Sequence, residues 1–163
     1  MTSAQDSRFQ QMAKAIDRYL SVLCGSPEGD EGMIVLLIEA LDGLTAAYHA
    51  TEDVEPSGAD FEYPPLDIRG GSTRPAAVFE KLGWYAGVEP DGGLDQEVSL
   101  HDPFNDLSEI ADDMKLVMWL ADNVSESDAV WEFRFGFFTH WGLHLFSVRP
   151  YLQAYLDWPL RSA

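Results

Sequence analysis

Apolar side chains recur at helical spacing in nearly every stretch of this chain that has a period at all, and that period sets the class of fold. Phe9, Met12, Ala13, Ile16, Leu20 and Leu23 fall at i, i+3, i+4 and i+7, one face of a helix, and Gly25-Ser26-Pro27 stops it. Ile34, Leu37, Leu41, Leu44 and Tyr48 make a second face between about Glu31 and Ala50. Arg74–Leu82 is a short helical segment ending at Gly83, with Pro75 suited to its first turn. The clearest helix opens at Asp102-Pro103, an acceptor at the N-cap followed by proline in the first turn. Its face is Leu107, Ile110, Ala111, Met114, Val117, Met118 and Ala121, and Asp106 and Glu109 suit the positive end of its macrodipole. Ser127 opens a last long helix with Trp131, Phe135, Phe138 and Leu145 inward. Pro150 should kink or divide it by removing a backbone donor, and Tyr151–Trp158 follows as a terminal helix. No strand pattern competes. The expectation is a single all-α domain over residues 1–163, an up-and-down bundle of about four long helices plus short ones. Loops fall at about 51–73 and 87–101, the first long, acidic and broken by Pro56, Pro64 and Pro65.

Charge narrows the partners. The chain has 163 residues with 28 acidic and 10 basic side chains, a formal charge of −18. That length suits one domain burying about 70% of its unfolded surface, and 46% hydrophobic content excludes wholesale disorder. Between Arg18 and Arg69 there is no lysine or arginine but eleven carboxylates, and between Lys81 and Lys115 none but nine. The two windows, Tyr19–Ile68 and Leu82–Met114, therefore hold nearly all the charge on an almost neutral frame. Phosphate backbones and anionic membrane surfaces would be repelled, which excludes direct nucleic-acid and membrane partners and leaves a basic protein. The lone Cys24 excludes an internal disulfide. The polar start Met1–Arg8 is no secretory signal, and the longest apolar run, Met33–Ile38, is far short of the ~20 residues that span a bilayer. A cytoplasmic protein is expected.

Three groups of residues carry candidate chemistry. His140 and His144 stand at i, i+4, so both imidazoles share a helical face and can chelate a divalent metal, with His49 as the third ligand. Such a set resembles the metal-binding bundles of the damage-inducible helical superfamily. Asp106, Glu109 and Asp113 at i, i+3, i+7 form a carboxylate stripe of the kind that holds magnesium in all-α nucleotide pyrophosphohydrolases. The second acidic helix those enzymes use is not matched by Glu39 and Asp42. The third group is Trp131 to Trp141, whose aromatics cannot all face inward because an apolar stripe covers little more than 100° of a helix. Some of Phe133, Phe137 and Trp141 should therefore meet a second helix or the surface. Arg134 amid them should be paired, with Asp113 or Asp106, and Trp131, Arg134 and Trp141 could line a pocket for an anion. Cys24 lacks a neighbour that would lower its pKa, and no phosphate loop or nucleophile elbow is present.

Two of these segments together resemble a bacterial helical family known only as a domain of unknown function, number 5063. Asn105-Asp106-Leu107-Ser108-Glu109-Ile110-Ala111-Asp112-Asp113-Met114-Lys115 resembles its motif DDLADIYxDLK. Trp131-Glu132-Phe133-Arg134-Phe135 followed by His140-Trp141-Gly142 resembles its WEWRF…HWG, and Leu82-Gly83-Trp84-Tyr85 its LG-plus-aromatic stretch. The resemblance covers roughly Leu82 to Tyr155. Ala111 stands where the family has tyrosine, Asp112 where it has a basic residue, and Glu109 replaces an aspartate. The resemblance implies an all-helical fold and groups Asp106, Asp113, Arg134, His140 and Trp141 in space; it implies no activity.

With no complete catalytic constellation, the leading expectation is an interaction module rather than an enzyme: an adaptor or immunity-like protein without cofactor, binding a basic partner through acidic and aromatic surface. Its binding residues would be Asp106, Glu109, Asp113, Trp131, Arg134, His140 and Trp141. The alternative is a metal-dependent enzyme using His49, His140 and His144, or the carboxylate stripe.

Overall fold

Among the described residues, helices fill the first and last parts of the chain, and strands appear only in a brief hairpin between them. The computed structural model describes residues 2–25, 30–68, 71, 73–88 and 92–161. Ser26, Pro27, Arg69, Gly70, Ser72 and Glu89 lie outside the described residues. Five α-helices are α1 (Thr2–Cys24), α2 (Asp30–Ala50), α3 (Pro103–Asn123), α4 (Glu126–Thr139) and α5 (Trp141–Arg161). The expected short helix before Gly83 is a 3-10 turn, Ala77–Lys81. Against the expectation of no strand, β1 (Tyr85–Gly87) and β2 (Ser99–His101) pair antiparallel with Tyr85 opposite His101. The fold is mostly helical.

The first two helices pack on each other. Met12, Ile16 and Leu23 of α1 and Leu37, Leu41 and Leu44 of α2 are wholly buried, each stabilising by roughly 1.5–3 kcal/mol over an exposed side chain. Tyr19 carries a hydroxyl into this core and donates it to the Leu107 carbonyl at 2.7 Å, joining α1 to α3. Gly32–Ala50 of α2 is long and apolar enough to cross a membrane by length and composition, with half of it buried inside the protein. Its Asp42 takes both ends of the Arg149 fork of α5, at 2.9 and 2.8 Å.

α3 begins as its cap requires. Asp102 accepts the Phe104 N–H at 3.0 Å, and Pro103 needs no partner for a first-turn N–H it lacks. Leu107, Ile110, Ala111, Met114 and Val117 are buried as their period demands, while Met118 and Ala121 are only partly covered. Two residues then turn the chain. Val124 and Ser125 both donate to the Leu120 carbonyl, and Ser125, not Ser127, caps α4 by accepting the Asp128 N–H at 3.1 Å.

The α4 face is opposite to the expected one. Phe133 and Phe137 are buried with Trp141, whereas Phe135 and Phe138 face solvent and Trp131 is half-buried. Both sets have helical spacing, so periodicity cannot choose between them. The choice falls to the small residues beside the first set. Ala129 and Gly136 let neighbours approach, and a Cβ at Gly136 would lie 2.7 Å from the Trp141 ring. The break also differs. The chain turns at His140, and α5 runs on through Pro150 without dividing. The corner is so tight that a Cβ at Gly142 would stand 2.0 Å from the Phe137 carbonyl oxygen.

The acidic stretch after α2 has neither helix nor strand over its described residues up to the turn at Leu66–Ile68. It is fastened to the helices at separate points. The buried Asp128 carboxylate accepts the Ser57 N–H at 3.1 Å and the Ser125 hydroxyl. Burial alone would raise its pKa, but these hydrogen bonds outweigh that and hold it below the ordinary carboxylate value. Tyr63 donates to Glu132 at 3.0 Å, Thr73 donates its N–H to Asp112 at 2.8 Å, and Lys115 donates to the Gly71 carbonyl at 3.0 Å.

Two glycine-to-alanine substitutions should move stability in opposite directions. Gly142→Ala meets backbone that cannot swing aside and should cost roughly 1–3 kcal/mol or more. Gly43→Ala, inside α2 with nothing within 4 Å of its Cβ, should gain up to about 1 kcal/mol from helix propensity. Urea unfolding of both variants at one pH measures the pair.

Candidate functional site

α3 carries its carboxylates at i, i+3, i+7, and the His140 corner brings two imidazoles against that stripe. The His140 Nδ1 meets Asp113 Oδ2 at 2.6 Å, and the His144 Nδ1 meets Asp106 Oδ1 at 2.8 Å. A carboxylate can only accept, so each ring donates from Nδ1 and keeps Nε2 for other work. Glu109 stands 3.8 Å from His140 Nε2, too far for a hydrogen bond. The two rings lie edge to face, 5.0 Å apart. The two sequence motifs thus meet through paired side chains.

Asp106 is the deepest of these groups, 4% exposed. Its second oxygen accepts the Tyr85 hydroxyl at 2.6 Å, so β1 also closes on it. Burial, then the Asp106 hydrogen bond and charge, push the Tyr85 phenol far above its usual pKa. The Tyr85 ring stacks on Tyr151 of α5 at 4.6 Å and on His101 of β2 at 5.2 Å. Tyr151 in turn donates to the Gly83 carbonyl at 2.8 Å. The hydrogen bond to Asp106 raises the His144 pKa against an opposing effect of burial, with Asp106, Glu109 and Asp113 adding charge. Burial raises the Asp113 pKa, although the His140 contact works the other way.

Arg134 belongs elsewhere. The expected partners Asp113 and Asp106 are taken by histidines, and its guanidinium instead turns to the end of α2. It pairs with Asp53 at 2.7 Å and donates to the Tyr48 and Thr51 carbonyls at 2.9 and 2.7 Å and to the Thr51 hydroxyl at 3.2 Å. It also lies over the Tyr48 ring, 4.7 Å from its centre. The reason is local: the last carbonyls of a helix lack intrahelical donors, and the Arg134 fork supplies them. The adjoining depression, about 180 Å³, is lined by Asp53, Val54, Trp131, Arg134, Phe135 and Phe138. Trp141 is not among them. It is wholly buried in the core, where its Nε1 donates to the Phe133 carbonyl at 2.9 Å.

The structure therefore brings Asp106, Asp113, His140 and His144 together with Glu109 beside them, and places Arg134 with Trp131 on another face. His49 stands at the end of α2, edge-on to Tyr48 at 5.1 Å. Among the described residues no group of three or more His, Cys, Asp or Glu side chains is arranged to hold a metal ion. Tyr85, Asp53 and His101 were not singled out in the sequence. Tyr85 had a signal only as the aromatic after Leu82-Gly83-Trp84, while Asp53 and His101 had none. No family model matches the chain, and neither a curated protein nor a solved structure matches it.

Two outcomes follow from this geometry. Arg134→Ala takes the guanidinium donor from the Thr51 carbonyl and leaves the Tyr48 carbonyl only the Thr51 hydroxyl at 2.9 Å, and should cost roughly 1–3 kcal/mol, whereas Arg74→Ala, whose pair with Glu80 is solvent-exposed, should stay within about 0.5 kcal/mol; chemical denaturation compares them. The His144 pKa is raised in the fold. Its contribution is complete below the unfolded value near 6.5 and is lost as pH climbs through the folded one. The stability gap between the native chain and His144→Gln should therefore shrink from pH 6 to pH 9, and unfolding curves at both pH values test that.

Proposed function

We propose that the protein is an interaction module that binds a basic partner, with Phe135, Phe138 and Trp131 as the apolar anchor and the acidic segment after α2 as the electrostatic guide. Phe135 is 50% and Phe138 65% exposed, and Trp131 stacks on Phe135 at 4.9 Å. The observation that carries the reading is the Arg134 clamp. By fixing Asp53 beside these rings, it sets exposed aromatics and exposed carboxylates on one surface. Glu55, Asp60 and Glu62 follow along the same segment, all exposed, while Glu52 before them pairs with Arg8. Aromatic anchors ringed by one sign of charge suit a partner with the opposite sign, which gains association rate from the charge and residence time from the rings. In this reading the helices form an up-and-down bundle whose α4 edge is the docking face, and the resemblance to family 5063 bears on that architecture alone.

A synthetic amphipathic helix with lysines on its polar face and leucines on the other is the probe, with its glutamate counterpart as control. The lysine peptide should bind more tightly, weaken with added salt, and lose roughly tenfold or more with Phe135→Ser/Phe138→Ser. The melting temperature should change little, since both rings are already exposed. Equal binding of the two peptides would sink the proposal.

A further inference from the structure

The acidic windows leave one concavity without a carboxylate on its described walls. It lies between the β1–β2 hairpin and α5 and encloses about 680 Å³, within the range of small-molecule sites. Val88 lines it from the hairpin side, and Leu143, Phe146, Pro150 and Tyr151 from α5. Its polar wall is Tyr85, His101, His144 and Ser147. The hydrogen-bonding capacity of each polar group is partly spent. Tyr85 gives its proton to Asp106, Ser147 gives its own to the Leu143 carbonyl at 3.0 Å, and the Ser99 hydroxyl, which donates to the Gly87 carbonyl at 3.2 Å, accepts from the His101 Nε2 at 2.8 Å. His144 has Nδ1 committed to Asp106. The ring nitrogens left over are His144 Nε2 and His101 Nδ1, on two side chains that line the same cleft, and His101 Nδ1 is a donor in the imidazolium form.

We infer that this cleft binds an amphipathic monocarboxylate, with its head on His144 and His101 and its apolar body along Phe146, Leu143, Val88 and Tyr151. Asp106 stabilises the imidazolium form of His144, in which Nε2 is a donor, and also fixes the plane of the ring. The site is thus organised before the ligand arrives, as second-sphere carboxylates organise histidine elsewhere. The raised His144 pKa favours the required form near neutrality. The groups facing His144 are Asp106, Glu109 and Asp113 of α3, His140 at the corner, Tyr85 of β1 and His101 of β2. The three carboxylates favour its proton, and a protonated His140 or His101 would oppose it.

Calorimetric titration of the full chain with decanoate, decanol and decylammonium tests the assignment. Decanoate should bind at pH 6 more tightly than either analogue and weaken by pH 8.5. His144→Gln and, independently, His101→Gln should each weaken decanoate by about tenfold, the loss of a charged hydrogen bond, and Phe146→Ser should weaken all decyl ligands. His49→Gln, an imidazole at the end of α2 and outside the cleft, should leave decanoate affinity unchanged, and circular dichroism of every variant confirms its fold. Decanol binding as tightly as decanoate, a preference for decylammonium, no decanoate binding, or decanoate affinity indifferent to both His144→Gln and His101→Gln would each overturn the inference.

Discussion

A carboxylate as deeply buried as Asp106 is a liability unless its lone pairs are filled, because an isolated charge taken out of water costs many kcal/mol. Two donors fill them here, Tyr85 at 2.6 Å and His144 at 2.8 Å. They come from the hairpin and from α5, while Asp106 itself is on α3, so one residue fixes three elements that are far apart in sequence. The Tyr85 ring then stacks between Tyr151 and His101, and the cleft wall follows from that stack. If Asp106 lost either donor, the hairpin and α5 would lose their common point of attachment.

The same economy explains why lysine and arginine are missing near so many acids. His140 and His144 serve as the counter-groups of Asp113 and Asp106, so the α3 stripe is met across a helix interface by imidazoles rather than by lysine or arginine. Arg134 is thereby free to answer a different demand, the unpaired carbonyls at the end of α2, and Arg149 takes Asp42. The exposed carboxylates after Thr51 have a different environment. They are held near the surface by the Ser57 and Tyr63 contacts without being neutralised in the interior. The described carboxylates thus include buried ones that organise the fold, Asp106 and Asp128, and exposed ones such as Asp42 and Asp53 that pair with arginine.

How much of this was legible depends on whether a feature is local. The Asp102-Pro103 start and the buried face of α3 could be read because cap chemistry and a 3.6-residue period act within one segment. The α4 face could not, since residues 133 and 137 and residues 131, 135 and 138 both satisfy that period, and only the room beside Gly136 selects the first. The division of the last helices was misplaced for a related reason. Pro150 carries an intrinsic cost of about 3 kcal/mol in a helix interior, yet packing of Val148 and Leu152 in the core continues the helix through it. The turn at His140 is instead made possible by Gly142, a close approach invisible without the neighbouring carbonyl. Strands of three residues, separated by a loop that carries no alternation, leave no pattern to detect.

The candidate site shows the same boundary between local and distant information. The i, i+3, i+7 acids and the i, i+4 histidines each announce a usable helical face, but each taken alone suggests a metal. Only their mutual distances show the imidazoles donating to carboxylates from Nδ1. Once that pairing is in place, each imidazole is an oriented ring with Nε2 to offer. For His144 that nitrogen belongs to a side chain lining the cleft beneath the hairpin. That orientation follows from the position of α3 against α5, and it is this tertiary fact that turns an acidic helix face into the support of a cleft whose described walls carry no acid.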